Sequence, residues 1–253
     1  MKTVFKKITQ KLYTIFVYIN YYFSKKKYDK FIFIHPPQSG GNSIDYFFKI
    51  NFGLRTYKIN NFIEDSNFDF CSDKVSKYFL IFGHFTYEFV FRNHIRKNNF
   101  FYFTSIREPK SRFLSNYYRN KRDFEKDGKE SMSLEKFLEM RLSQGEDNFY
   151  VRRFNSKNIY SDPTINVNNE HFLDSLLNLK KLNFIFYLDD MKENFINFKK
   201  NFKLILDMTK FIDFHKNKVS NSTFPEVSPK ENELLNKLTF YDTKLYEQIK
   251  KHQ

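Results

Sequence analysis

The chain reads as an α/β domain with a central, mainly parallel sheet flanked by helices, and three observations predict it. Short apolar runs at 30–35, 78–82, 99–106 and 182–188 alternate with longer helical patterns, as parallel strands joined by crossover helices do. The first run enters a turn containing Pro36, Pro37, Gly40 and Gly41 that opens a helix, a layout used to bind phosphate. The next two runs end in polar residues, Gly83 and His84 in one and Arg107, Glu108 and Pro109 in the other. Open α/β sheets bind their ligands at such strand C-termini.

In chain order, Lys2, Lys6, Lys7 and Lys11 precede an apolar run at 12–23, and Lys25, Lys26 and Lys27 follow it. Crossing a bilayer takes roughly 20 apolar residues, so this run is about half a span. It holds Asn20 and no small-residue cleavage site follows it, which argues against a secretory signal. A terminal helix packed on the domain is expected over residues 1–28. The same composition also suits a basic amphipathic helix in peripheral contact with a membrane surface. The domain proper is placed at 29–253. Within it a helix is expected over 43–52, another from Pro109 to about Lys121, and a third from about Asp190 to Met208. Ser228, Pro229 and Glu231 supply the N-cap, first-turn proline and returning carboxylate of a capping box, which starts a C-terminal helix.

The 253 residues carry a formal charge of +14, and 34 Phe with 17 Tyr provide a large apolar payload. That content excludes a disordered tail, a collagen and a coiled coil. One cysteine, Cys71, excludes an internal disulfide and any Cys-rich metal site. The six histidines lie far apart in sequence, so no metal is expected. The chain has no Ala and abounds in Lys, Asn, Ile and Phe, as a coding sequence rich in A and T would give. Lysine is scattered accordingly, but the ten arginines are not: four lie at 107, 112, 119 and 122, and two at 152 and 153.

Three pieces carry chemistry. In His35-Pro36-Pro37-Gln38-Ser39-Gly40-Gly41-Asn42-Ser43 the glycines let backbone N–H groups close on an anion at a helix N-terminus. It is not a Walker A loop, because no Lys follows the glycine pair, and an ordinary tight turn has the same composition. From Phe103 to Tyr118, Arg107 at a strand end can hold a phosphate bidentately, with Ser115 two helical turns further on; a solvated basic helix face is the bland alternative. In Gly83-His84 a neutral imidazole can take a proton from a hydroxyl, although a lone His is more often structural. The positive charge by itself suits a nucleic-acid or membrane-surface binder equally well.

Together these pieces resemble the sulfotransferases that use 3′-phosphoadenosine 5′-phosphosulfate (PAPS), in particular the heparan sulfate 2-O/6-O and related carbohydrate branch. The first loop is similar to that branch's H-I-P-K-T-G-G-T-S. Arg107 to Tyr117 resembles its R-D-P-x-S-R-x-x-S-x-Y, with Glu108 replacing Asp. Gly83-His84 is similar to its G-H-x-x-Y segment, and Asn148 to Phe154 to its N-x-x-x-R-x-L element, with Arg152 on the Arg. Residues 184–193 and 219–248 resemble its late segments, including a D-x-x-L-Y ending at Asp242, Leu245 and Tyr246.

The resemblance implies a P-loop-like three-layer fold and PAPS as co-substrate without a metal. Pro37, Gln38, Ser39, Gly40, Gly41, Asn42 and Ser43 would hold the 5′-phosphosulfate, and Arg107 with Ser115 the 3′-phosphate. His84 would be the catalytic base, while Arg112 and Arg152 would contact the acceptor, an anionic carbohydrate or other hydroxyl compound, with no nucleic-acid partner. The family's animal members carry a Golgi membrane anchor; here the run is too short for one, so a cytoplasmic or membrane-peripheral enzyme is expected. One departure stands out: Gln38 occupies the place of the family's catalytic Lys. Either another cation replaces it, with Arg55, Arg152 and Lys110 as the choices, or the protein binds the nucleotide with weak catalysis.

Overall fold

The computed structural model describes residues 28–52, 56–59, 78–92, 99–202 and 224–251, with single positions 12, 15, 19 and 22. Strand β1 (Lys30–Ile34) leads through the first loop to α1 (Gly41–Phe52), followed by β2 (Thr56–Ile59) and β3 (Leu80–Gly83). After the short α2 (Tyr87–Arg92) come β4 (Phe100–Ile106), α3 (Pro109–Lys126), α4 (Leu134–Ser143), α5 (Phe149–Phe154) and α6 (Asn169–Lys180). Then β5 (Phe184–Tyr187), α7 (Met191–Phe202) and α8 (Pro229–Lys250) complete the described chain. Positions 12, 15, 19 and 22 are helical and exposed; the rest of the expectation for 1–28 lies outside the described residues.

The five strands form one parallel sheet in the order β2-β3-β1-β4-β5. The expected α/β class and its parallel sheet are therefore what the chain folds into. Successive side chains point to opposite faces of a strand, and β1 shows why both faces are covered. Phe31 and Phe33 join Phe47 and Phe48 of α1 and Phe195 and Phe198 of α7 in one core. Ile32 and Ile34 join Tyr150 of α5, Leu176 and Leu179 of α6 and Leu245 of α8 in the other. These two helical layers enclose the sheet. The aromatic excess is spent here: the Phe33 ring stacks on Phe82 at 5.3 Å and on Phe103 at 4.8 Å, across three adjacent strands. A third core joins α3, α4 and α8 beside the sheet.

Strand order reverses at β1, which puts a crevice at its C-terminal end. The register sets Ile34 opposite both Gly83 and Thr104. Thr104 Oγ1 also donates to the Ile34 carbonyl at 2.7 Å. The first loop, His84 and Arg107 thus leave the sheet side by side. β2 is the strand that the sequence pattern does not single out, since Thr56–Ile59 is short and includes Lys58.

Candidate active site

The first loop is shaped by alternating backbone handedness. Gln38 and Gly40 have positive φ, 64° and 82°, whereas Ser39 between them does not. Such alternation turns successive N–H groups toward one side and forms an anion-binding concavity. Gly40 is favoured by its left-handed backbone, and a Cβ there would press on the ends of the Leu188 and Met191 side chains. At Gly41 a Cβ would fall inside the His35 imidazole. Helix α1 starts at once, with the Ser43 N–H donating to the Gly40 carbonyl at 3.0 Å and no acidic residue in its first turn. Its positive end is therefore left uncompensated by a carboxylate from that turn.

His84 follows β3, and its Nδ1 lies 2.9 Å from the His35 carbonyl oxygen. A carbonyl only accepts, so Nδ1 carries the hydrogen, and in the neutral ring the lone pair is on Nε2. The two imidazoles stack at 4.8 Å, and His35 stacks in turn on Phe82 at 4.9 Å, which fixes the ring plane.

Arg107 follows β4 and is half-buried, with its Nε enclosed and without a hydrogen-bond partner among the described residues. Burial pulls its pKa down, against the opposing charge of Asp189. Its Cζ stands 5.6 Å from the Phe224 ring. The next residue, Glu108, caps α3: its carboxylate accepts from the Lys110 N–H at 3.0 Å and the Ser111 N–H at 2.7 Å, with Pro109 in the first turn. Glu108 therefore provides the cap in the place where the resembling motif has Asp. Ser115 lies two turns into α3, half-buried.

Three expected site residues are placed differently from the sequence reading. Arg152, expected to contact the acceptor, is 4 % exposed and all five of its N–H donors are used within the chain. They reach Asp147, including Oδ1 at 2.6 Å, and the carbonyls of Ile159, Asp162 and Ile165 at 3.1, 3.1 and 2.8 Å. It is a clamp on the segment after α5, with no donor left for a substrate. Arg112 is 3 % exposed and sandwiched by aromatic faces, its Cζ 3.8 Å from the Phe149 centroid and 4.4 Å from that of Phe113. Ser39 is 0 % exposed and its hydroxyl lies 2.9 Å from Tyr150 Oη, so it faces the interior instead of a ligand. Asn42 is exposed in the first turn of α1, Ser43 is buried beside it, and Pro37 and Gln38 are half-buried. Of the cations weighed as substitutes for the loop lysine, Arg152 is engaged as described and Lys110 Nζ is 3.0 Å from Asn232 Oδ1. Arg55 lies outside the described residues.

The residues that sequence reasoning missed are on α5 and α8. Tyr150 and Arg153, three apart and so on one face of α5, reach all three strand ends. Tyr150 Oη meets Ser39 Oγ and accepts from the Arg107 N–H at 2.9 Å. Arg153 Nη1 donates to the carbonyl of Phe85, the residue after His84, at 2.6 Å. Asn148, in left-handed backbone with φ 47°, makes no side-chain cap on α5. The fully buried Asp242 of α8 supplies one, accepting from the N–H groups of Tyr150 and Val151 at 2.9 Å. Desolvation raises the Asp242 pKa to about 7 against the lowering effect of those bonds, and burial pushes the Tyr150 phenol up to about 12. The only sequence signal for either was motif resemblance, and in the Asn148 to Phe154 element it drew attention to Arg152 instead.

The chain thus carries, on a parallel α/β sheet, a glycine-containing loop that opens a helix at the point of strand reversal, with an imidazole and a guanidinium on either side, the place where open α/β sheets bind their ligands. A model of the sulfotransferase family matches residues 20–251, and the chain belongs to that family, the transferases of the sulfuryl group. Members of the family generally use PAPS. No curated protein matches the chain. Among the described residues no group of three or more His, Cys, Asp or Glu is placed to hold a metal, and no described helix is long and apolar enough to cross a membrane.

Proposed function

We propose that the protein moves the sulfuryl group of PAPS to a hydroxyl of a carbohydrate acceptor, as in the heparan sulfate 2-O/6-O branch, with His84 as base. The observation that carries this is the His84 Nδ1 bond to the His35 carbonyl at the start of the first loop, which puts the hydrogen on Nδ1 and, in the neutral ring, the lone pair on Nε2. The chain fits the donor in two respects. The N–H concavity of 38–42 is suited to the 5′-phosphosulfate. The half-buried Arg107 guanidinium at the end of β4, with the half-buried Ser115, is suited to the 3′-phosphate. Bound there, PAPS supplies a sulfuryl group on a phosphate leaving group, open to in-line attack by an alcohol oxygen.

The chain's own residues do the rest. His84 Nε2 takes the acceptor's hydroxyl proton, and the His35 carbonyl, already holding Nδ1–H, steadies the imidazolium that forms. The loop N–H groups and the α1 N-terminus lower the energy of negative charge developing above them. A net charge of +14 favours an anionic acceptor. A second reading, a nucleotide-binding homologue with weak catalysis, is favoured by one observation: Gln38 brings no charge, and Arg152 and Lys110 are both held elsewhere.

The test is transfer from labelled PAPS to a panel of glycans. The wild type is expected to transfer label, and His84→Ala to lose on the order of 100- to 10,000-fold in kcat with an unchanged melting temperature. Equal activity in His84→Ala overturns the base assignment. Binding of adenosine 3′,5′-bisphosphate without transfer to any acceptor supports the second reading.

A further inference from the structure

We infer that Tyr150 is a positioning residue whose hydroxyl sets the spacing between the two phosphate-holding segments of the site. This rests on the proposed division of the donor between the first loop and the Arg107 and Ser115 pair. Tyr150 Oη is an atom of a third element that touches both segments. It lies 2.9 Å from Ser39 Oγ in the loop, accepts from the Arg107 N–H at 2.9 Å, and lies 3.2 Å from the Arg107 carbonyl. A neutral phenol has one proton to give and two lone pairs to receive with. Receiving from Arg107 N–H, it closes one contact on the β4 end and uses its proton or remaining lone pair on the loop.

The brace is itself anchored. The Tyr150 N–H is held by Asp242 of α8 at 2.9 Å, and its ring is packed in the core beneath the sheet end. The Ser39 side chain, fully buried, can serve the site only through this contact. A ligand with phosphates at both ends must find the two segments at a fixed separation. Holding them so before binding removes an ordering cost that a ligand with one phosphate does not meet.

That difference separates bracing from ordinary packing. In calorimetric titrations Tyr150→Phe, which keeps the ring, is expected to bind adenosine 3′,5′-bisphosphate about tenfold more weakly than wild type. Its affinity for adenosine 5′-monophosphate, which offers one phosphate to the first loop, should change less than about twofold. Ser39→Ala, which cuts the loop arm alone, should reproduce the selective loss and Ser39→Thr should restore binding; these two carry the test if Tyr150→Phe does not fold. Wild-type affinity for the bisphosphate in Tyr150→Phe or Ser39→Ala overturns the inference, and so does an equal loss for both ligands. Failure of the wild type to bind either nucleotide removes the proposed function itself, and this inference with it.

Discussion

In the proposed reaction, Gln38 is the residue on which the chemistry turns. It occupies a left-handed position, φ 64°, that a non-glycine side chain enters at some cost, and it puts an amide where the resembling motif has an ammonium. Lysine meets the same backbone cost as glutamine, so Gln38→Lys should leave the melting temperature within about 1 °C of wild type, a change well under 1 kcal/mol. Its kcat for sulfate transfer should rise by about 100-fold, the usual worth of a positioned donor to developing charge. An unchanged kcat would show that another group already supplies that charge. The three arginines to which the resemblance gave site roles illustrate how far residue type alone can go. Arg107, Arg112 and Arg152 are equivalent as letters in a basic run. The fold leaves Arg107 half-buried at the end of β4, stacks the buried Arg112 between Phe113 and Phe149, and engages all five donors of Arg152 with Asp147 and three carbonyls. No local property separates them, because each fate depends on at least one residue five or more positions away: Asp189 for Arg107, Phe149 for Arg112 and Asp147 for Arg152.

At the scale of elements, two caps connect stability to the site. Glu108 satisfies two of the orphan N–H groups at the start of α3, so Glu108→Ala should cost about 1 kcal/mol, or a melting temperature lower by roughly 2–4 °C. The same variant should raise the KM for PAPS, since Arg107 and Ser115 lie on either side of that cap. The second cap joins elements: Asp242 of α8 holds the N-terminus of α5. Its folded pKa of about 7 lies above the ordinary carboxylate value of 3.8, so the folded chain binds a proton that the unfolded chain has released. The stability this adds is complete below about pH 4 and is lost as pH rises through about 7. Thermal melts of wild type and Asp242→Asn should therefore diverge with pH: the wild type's advantage over the variant shrinks between pH 4 and 7 and is constant above about 8. A difference independent of pH would place the proton elsewhere. The cap of α8 itself was legible, because Ser228, Pro229 and Glu231 form a local box and the structure shows both of its hydrogen bonds. The cap of α5 was not, because its donor and acceptor are 92 residues apart.

For the whole molecule, ligand binding should be coupled to folding. The proposed sites for the two phosphates lie on segments after β1 and β4 that come together only in the folded sheet, so a ligand spanning them stabilises the folded state alone. Adenosine 3′,5′-bisphosphate at 100 times its Kd should add about 2.7 kcal/mol and raise the melting temperature by roughly 5–10 °C. No shift at saturating nucleotide would remove the proposed donor site. On this scale the apolar runs determined four of the five strands and the class of the sheet, because strand burial is written in composition: β1 and β4 are buried at every position. Glycine placement likewise determined the first loop, since Gly40 answers a local backbone requirement. Tertiary structure alone decided which side chains the site employs. Tyr150, Arg153 and Asp242 lie 111, 68 and 92 residues from the partners that give them a role. A hydrogen bond of 2.9 Å across such a separation exists only after the sheet has aligned three strand ends and two helical layers have closed on it.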